Sequence, residues 1–157
     1  MNEAAKVKVS VGILVYNHKK YIAKAIEGVL AQKVNFDYEI VIGEDCSTDR
    51  SAEVIDQYVT KYPDKIRRLS PERNQGLWMN SMKVQDAWRG EYIALMDGDD
   101  WWVYENKLQT QIDFLDQNHE YTGCFHDAEI VVPEHEDSTT SKYFQTFRYY
   151  SQIYHYR

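Results

Sequence analysis

Four times along the chain an apolar, largely β-branched run stops at polar or acidic residues and gives way to an amphipathic segment. Val7 to Tyr16 is the first such run and ends at Asn17-His18; Tyr21, Ile22, Ala25, Ile26, Val29 and Leu30 then recur at helical spacing up to Gln32. Tyr38 to Ile42 is the second, stopping at Gly43-Glu44-Asp45. Val54, Ile55, Tyr58, Val59 and Tyr62 line the helix after it, with Asp49 or Ser51 as its cap. Lys65 to Leu69 is a short third strand before a helix over Gly76 to Trp88, with Leu77, Trp78, Met82 and Trp88 as its apolar residues and Gly90 as its breaker. Tyr92 to Met96 is the fourth run and leads straight into Asp97-Gly98-Asp99-Asp100; Leu108, Ile112 and Leu115 mark the helix that follows. Strands alternating with helices in this way specify an α/β fold, a mostly parallel sheet with helices on both faces. Ligands of such sheets bind beyond the carboxyl ends of the strands. Asn17, Asp45, Asp97 and Asp99 all fall there.

Charge narrows the ligand. The chain has 157 residues, with 18 Lys and Arg against 25 Asp and Glu, a formal net charge of -7. Its longest basic runs are the pairs Lys19-Lys20 and Arg67-Arg68. Attraction to a nucleic-acid backbone is therefore weak, and no nucleic-acid partner is expected. An acidic site still takes a phosphorylated ligand when a divalent cation lies between its carboxylates and the phosphates. The cysteines, Cys46 and Cys124, belong to no Cys-x-x-Cys pair or His/Cys cluster, which argues against structural zinc and for a reducing compartment. No basic-then-apolar leader opens the sequence, and no apolar stretch approaches the about 20 residues that span a bilayer. A cytoplasmic protein is expected, with peripheral contact at the inner face of the membrane left open.

Asp97-Gly98-Asp99-Asp100 carries the most chemistry. Two carboxylates separated by one residue at a strand end suit a hard cation such as magnesium or manganese, which keeps its other positions for water and phosphate. The plain alternative is an acidic turn in which Asp100 stabilises the next helix. A calcium hand is excluded because Trp102 stands where that loop needs glycine. The nucleophilic Asp-x-Asp of haloacid-dehalogenase-type phosphatases follows the first strand, whereas three strands precede this one. There is no Gly-x-Gly dinucleotide fingerprint and no Gly-x-x-x-x-Gly-Lys phosphate loop.

Five elements, in order from about Val7 to Val132, make the chain resemble the GT-A glycosyltransferases of family 2. They are the strand Val9 to Tyr16-Asn17; the helix Ala25-Ile26-Glu27-Gly28-Val29-Leu30-Ala31-Gln32, similar to Ala-Ile-x-Ser-Val-Leu-x-Gln; Glu44-Asp45-Cys46-Ser47-Thr48-Asp49 for Asp-Asp-Gly-Ser-Thr-Asp; Asn74-Gln75-Gly76; and Gly90-Glu91-Tyr92 through Asp100, continued by Trp102 and Lys107-Leu108. Glu44 and Cys46 depart from the pattern. The resemblance implies a Rossmann-like GT-A fold that binds a nucleotide diphosphate sugar, a uridine one above all, with Mn2+ or Mg2+ as cofactor. It implies that Tyr16 flanks the base, Asp45 accepts from the uracil imide, Asp97 contacts ribose or sugar, and Asp99 ligates the metal. For Asn17, Ser47 and Asn74, turn formation and capping compete with ligand contact. His126 is set between a structural residue and a ligand.

The implied reaction is metal-dependent, inverting transfer of the sugar to a saccharide or lipid-linked saccharide acceptor in bacterial cell-surface polysaccharide synthesis. Such transfer needs a carboxylate base, and Glu129, Glu134, Glu136 and Asp137 lie in no recognisable motif, so none is nominated. The expected organisation is a nucleotide-sugar-binding domain over residues 1–132. Residues 133–157, a polar loop and an aromatic segment, would begin a truncated acceptor-binding part. Tyr143, Phe144, Phe147, Tyr150 and Tyr154 have a spacing that allows an amphipathic helix, packed on the core or on a second copy as a homodimer contact. Two other readings stay open. One is a nucleotide-sugar-binding module without catalysis. The other is a nucleotidyltransferase, against which stands a first turn, Tyr16 to Lys20, lacking glycine and arginine.

Overall fold

The computed structural model describes residues 6–126 and 153–155. The elements are β1 (Val9–Val15), α1 (Ile22–Leu30), β2 (Tyr38–Glu44), α2 (Ser51–Lys61), β3 (Ile66–Leu69), α3 (Leu77–Asp86), β4 (Tyr92–Asp97), α4 (Lys107–Gln117), β5 (Gly123–Cys124) and β6 (Ile153–His155). They form one sheet of order β3-β2-β1-β4-β6-β5. β3, β2, β1 and β4 run parallel, and β6 pairs antiparallel with both β4 and β5. The α/β sheet read from the alternation is thus the one observed. With β1 central, its carboxyl end is flanked by those of β2 and β4, which sets the place where three connecting loops meet.

Alternation along the strands decides which face is oily. Val9, Val11, Ile13 and Val15 point to one side with Ile40, Ile42, Ala94 and Met96, and there they pack on Ile22, Ile26 and Val29 of α1, Ile55 of α2, and Leu108, Ile112 and Leu115 of α4. The other face is built differently. Gly12 of β1 and Gly43 of β2 leave it low, so α3 seats almost on the sheet backbone, and an added Cβ at Gly12 would lie 3.0 Å from Val84. Asn80 donates its side-chain amide to the Gly43 carbonyl at 2.8 Å.

This seating corrects the apolar face expected for α3. The buried residues of the helix are Asn80 and Val84, while Leu77, Trp78 and Met82 are 70%, 77% and 43% exposed. The sheet offers no depth there for large side chains, so they turn outward. Trp88, past the helix end, is half-buried beside Gly12.

At the amino ends of the strands, far from the loops of interest, Glu39 is buried. Its carboxylate accepts from the Ser10 hydroxyl at 2.7 Å, the Arg89 amide at 3.0 Å and the guanidinium groups of Arg67 and Arg89 at 3.1 and 2.9 Å. Burial alone would raise its pKa, but the bonds from Arg89 and Ser10 and the two arginine charges outweigh that and lower it.

Tyr154 belongs to a strand, so the helical spacing read for the aromatic segment does not extend to Ile153–His155. The register with β4 supplies the reason: Ile153 pairs with Ala94 and is fully buried. Tyr143, Phe144, Phe147 and Tyr150, the polar loop, and the carboxylates of Glu129, Glu134, Glu136 and Asp137 lie outside the described residues.

Candidate functional site

The β1–α1 and β2–α2 loops are laced together. Asn17 sits at φ 61, a left-handed conformation that asparagine tolerates better than most residues. From there its backbone N–H donates to the Ser47 hydroxyl at 3.0 Å, and its side-chain oxygen accepts from the Thr48 N–H at 2.8 Å. Two residues on, the Lys19 N–H donates to Asp49 at 2.9 Å, while the other Asp49 oxygen accepts from the Ser51 N–H at 3.0 Å at the start of α2; the N-cap position itself, expected for Asp49 or Ser51, is held by Arg50 at φ 72 without a side-chain cap bond. Asn17 and Ser47 therefore take the structural role weighed for them. Tyr16, between the strand and this clamp, is 46% exposed.

Asp45 follows directly. Its N–H donates to the Val15 carbonyl at 3.0 Å, joining the carboxyl ends of β1 and β2. The side chain is buried, and its oxygens accept from the N–H groups of Gln75 at 2.9 Å and Gly76 at 2.8 Å, at the start of α3. Asn74 closes the loop by donating to the Asp45 carbonyl at 3.0 Å. Each carboxylate oxygen keeps one further lone pair after these bonds. Cys46, in place of the pattern's glycine, is held at φ 56 with its thiol on the Pro71 carbonyl at 3.0 Å. Glu44 is buried and accepts from the Ser47 N–H at 2.6 Å, a second turn-forming role.

β4 delivers the third loop. Asp97, Asp99 and Asp100 are exposed and Gly98 is buried, its N–H donating to the Leu14 carbonyl at 2.8 Å. Although both residues reach solvent, partial desolvation of the carboxyl by the surrounding loop, and then the charge of Asp99, raise the pKa of Asp97; partial desolvation and the charges of Asp99 and Asp97 raise that of Asp100; His18 opposes both shifts. Three carboxylates here repel one another. His18 approaches them from the β1 loop, its Nε2 lying 3.9 Å from Asp99 Oδ2. A Cβ on Gly98 would stand 2.8 Å from His18 Nδ1 and 2.9 Å from Val15 Cγ2, so only glycine fits between the two aspartates.

Behind the aspartates the chain is braced by α1 and α4. Trp102 is buried with its backbone against Gly28, where an added Cβ would come within 2.8 Å of the Trp102 carbonyl oxygen. Gln32 donates to the Tyr104 carbonyl at 2.9 Å and accepts from the Leu108 N–H at 3.0 Å. Lys107 lies buried with its ammonium 4.1 Å from the Trp102 ring centroid and 2.6 Å from Gln111 Oε1. Burial lowers its pKa to about 7, opposed by nearby Cys124.

Among the described residues no group of three or more His, Cys, Asp or Glu side chains is arranged to hold an ion unaided. Magnesium and manganese do not require one: one or two carboxylates suffice when substrate phosphates complete the shell. The repulsion among Asp97, Asp99 and Asp100, which His18 opposes without cancelling, is what a cation at Asp99 would neutralise, so the residues fit such an ion. The structure thus sets Tyr16, Asp45, Asp97 and Asp99 along one sheet edge. His126 follows β5, separated from β4 by β6. His18 was read from sequence only as part of a turn; its signal was a histidine after Tyr16-Asn17 together with a glycine between two aspartates in another loop.

The sequence matches Glycosyl transferase family 2 over residues 10–156, and the chain belongs to that family. An uncharacterized glycosyltransferase of Nostoc sp. is 38% identical over 125 residues, 80% of this chain and 38% of that one. The curated relatives matched at 32% to 38% identity are longer, the chain spanning between 34% and 42% of their length. Among solved structures, S. aureus TarS 1-349 in complex with UDP-GlcNAc aligns with TM-score 0.67 and 21% identity, covering 95% of this chain and 45% of that one. A mannosyltransferase from Pyrobaculum calidifontis in complex with GDP-Man and Mn2+ aligns with TM-score 0.62 and 17% identity, over 73% of this chain and 36% of that one. These two likenesses establish a shared fold. No helix among the described residues is long and apolar enough to cross a membrane.

Proposed function

We propose that this chain is the donor-binding part of a metal-dependent, inverting glycosyltransferase that takes a uridine diphosphate sugar. Its acceptor is a saccharide or lipid-linked saccharide in bacterial surface polysaccharide synthesis. The observation that carries the reading is the meeting of three loops at one sheet edge, with an exposed tyrosine on the first, a buried carboxylate on the second and an exposed acidic cluster on the third. In this reading Tyr16 flanks the base and Asp45 offers its remaining lone pairs to the uracil imide. Asp97 meets ribose or sugar, and Asp99 holds manganese or magnesium. The ion supplies charge neutralisation for the departing diphosphate. Support comes from the family, from the UDP-GlcNAc bound by TarS, and from the Mn2+ and GDP-Man of the archaeal mannosyltransferase. TarS is a poly(ribitol-phosphate) β-N-acetylglucosaminyltransferase, which motivates the polymer class of the acceptor.

The test is thermal denaturation with uridine diphosphate, with and without manganese. Ligand at about 100 times its dissociation constant stabilises by about 2.7 kcal/mol. The expected rise in melting temperature appears only with metal. Equal stabilisation in excess chelator would overturn the metal bridge, and none under either condition would overturn donor binding.

A further inference from the structure

We propose that His18 is a positioning residue for Asp99, its Nε2–H turning that carboxylate toward the bound cation. The inference rests on the metal reading above. Three observations carry it. First, among all basic groups of the described residues, His18 is the one whose side chain approaches a carboxylate of the acidic loop, with Nε2 3.9 Å from Asp99 Oδ2. That separation exceeds a hydrogen bond, but the Asp99 side chain is 51% exposed and a turn of about 1 Å closes the gap.

Second, the backbone that carries the imidazole is held before any ligand arrives. The His18 carbonyl accepts from the N–H groups of Tyr21 and Ile22, each at 2.9 Å, while Asn17 on one side and Lys19 on the other are bonded to the β2–α2 loop. The ring lies against Gly98, whose missing Cβ is the space it uses.

Third, the ring's two nitrogens are unequal. Nδ1 is buried with no hydrogen-bond partner among the described residues. A buried N–H without an acceptor is costlier than a bare lone pair, so the neutral ring keeps its proton on Nε2, the nitrogen that faces Asp99. Partners of this kind orient carboxylates that hold metals, and their loss typically weakens metal binding about 10- to 100-fold.

The experiment titrates the chain with manganese alone, following the electron paramagnetic resonance signal of the free ion, with melting curves for every variant. His18→Ala is expected to weaken manganese about tenfold or more. His18→Gln, which places an N–H near the Nε2 position, should recover most of the loss, and His18→Asn, which mimics the Nδ1 side, should not. Folded His18→Ala with unchanged affinity overturns the inference and leaves the metal reading standing. If His18→Ala does not fold, equal affinities of the Gln and Asn variants overturn it. A wild-type chain that binds no manganese either alone or with saturating uridine diphosphate overturns the metal reading, and this inference with it.

Discussion

The Asp45 carboxylate accepts from the backbone N–H of Gly76 at 2.8 Å, so the end of β2 is tied to the start of α3. Asp45→Ala strands the Gln75 N–H and leaves that of Gly76 only its weaker bond to Asn74 Oδ1 at 3.1 Å. A cost of about 1–3 kcal/mol in stability is expected. Under the proposed role, affinity for uridine diphosphate also falls roughly tenfold to a hundredfold, while manganese binding without nucleotide stays. Melting curves and calorimetry separate the two effects. Lost nucleotide binding at full stability would mean that the Gln75 and Gly76 bonds hold nothing in place.

Tyr16 presents the opposite case, an aromatic ring left 46% exposed beside a clamped loop. Tyr16→Ala should change stability by no more than about 0.5 kcal/mol. Stacking on a base is worth about 1–3 kcal/mol, so nucleotide affinity should drop at least fivefold. Unchanged binding would remove Tyr16 from the base site.

Gly28 stands where the family pattern has serine, and here the Trp102 backbone occupies the room a side chain would need. Gly28→Ser should therefore destabilise by about 1–3 kcal/mol and displace the segment after Asp100. Tryptophan fluorescence and melting curves read both. A serine variant as stable as the parent, with an unshifted spectrum, would show that the close approach is not needed.

Lys107 gives stability a pH dependence. An unfolded lysine keeps its proton up to about 10.5, whereas the buried one releases it at about 7. Between these values the unfolded chain binds more protons, so this group makes stability rise with pH. The window for observing it closes near 9, where the unfolded Cys124 thiol, whose folded pKa is raised by burial, begins to ionise. From pH 7 to 8.5 the parent should gain stability relative to Lys107→Met, and the variant should be the more stable at pH 7. Parallel curves would refute the shift.

Much of this was legible because β1, β2 and β4 write their burial as largely apolar runs and end on residues that cannot be buried without partners. The acidic loop after Met96 and the Glu44-to-Asp49 turn were visible for the same reason. α3 was misjudged because its helix period was sound but its partner surface was unknown: a sheet lowered by Gly12 and Gly43 takes Asn80 and Val84, leaving Leu77 and Trp78 outside. Glu39 with Arg67 and Arg89, and His18 with Asp99, are contacts between residues 28 to 81 positions apart, and no local pattern announces them.

The place of β6 bears on the order in which the chain can fold. β5 has no bond to β4; the edge of β4 away from β1 pairs with Ile153–His155, which slides between β4 and β5 from 29 positions beyond Cys124. During synthesis, then, the outer edge of β4 stays open after the rest of the parallel sheet is made. The strand that carries Asp97 waits with unsatisfied N–H and C=O groups until a distant three-residue segment emerges. Such an edge is a template for pairing with other chains. Late arrival of that segment, rather than any weakness in the core, is where misassembly of this protein would begin.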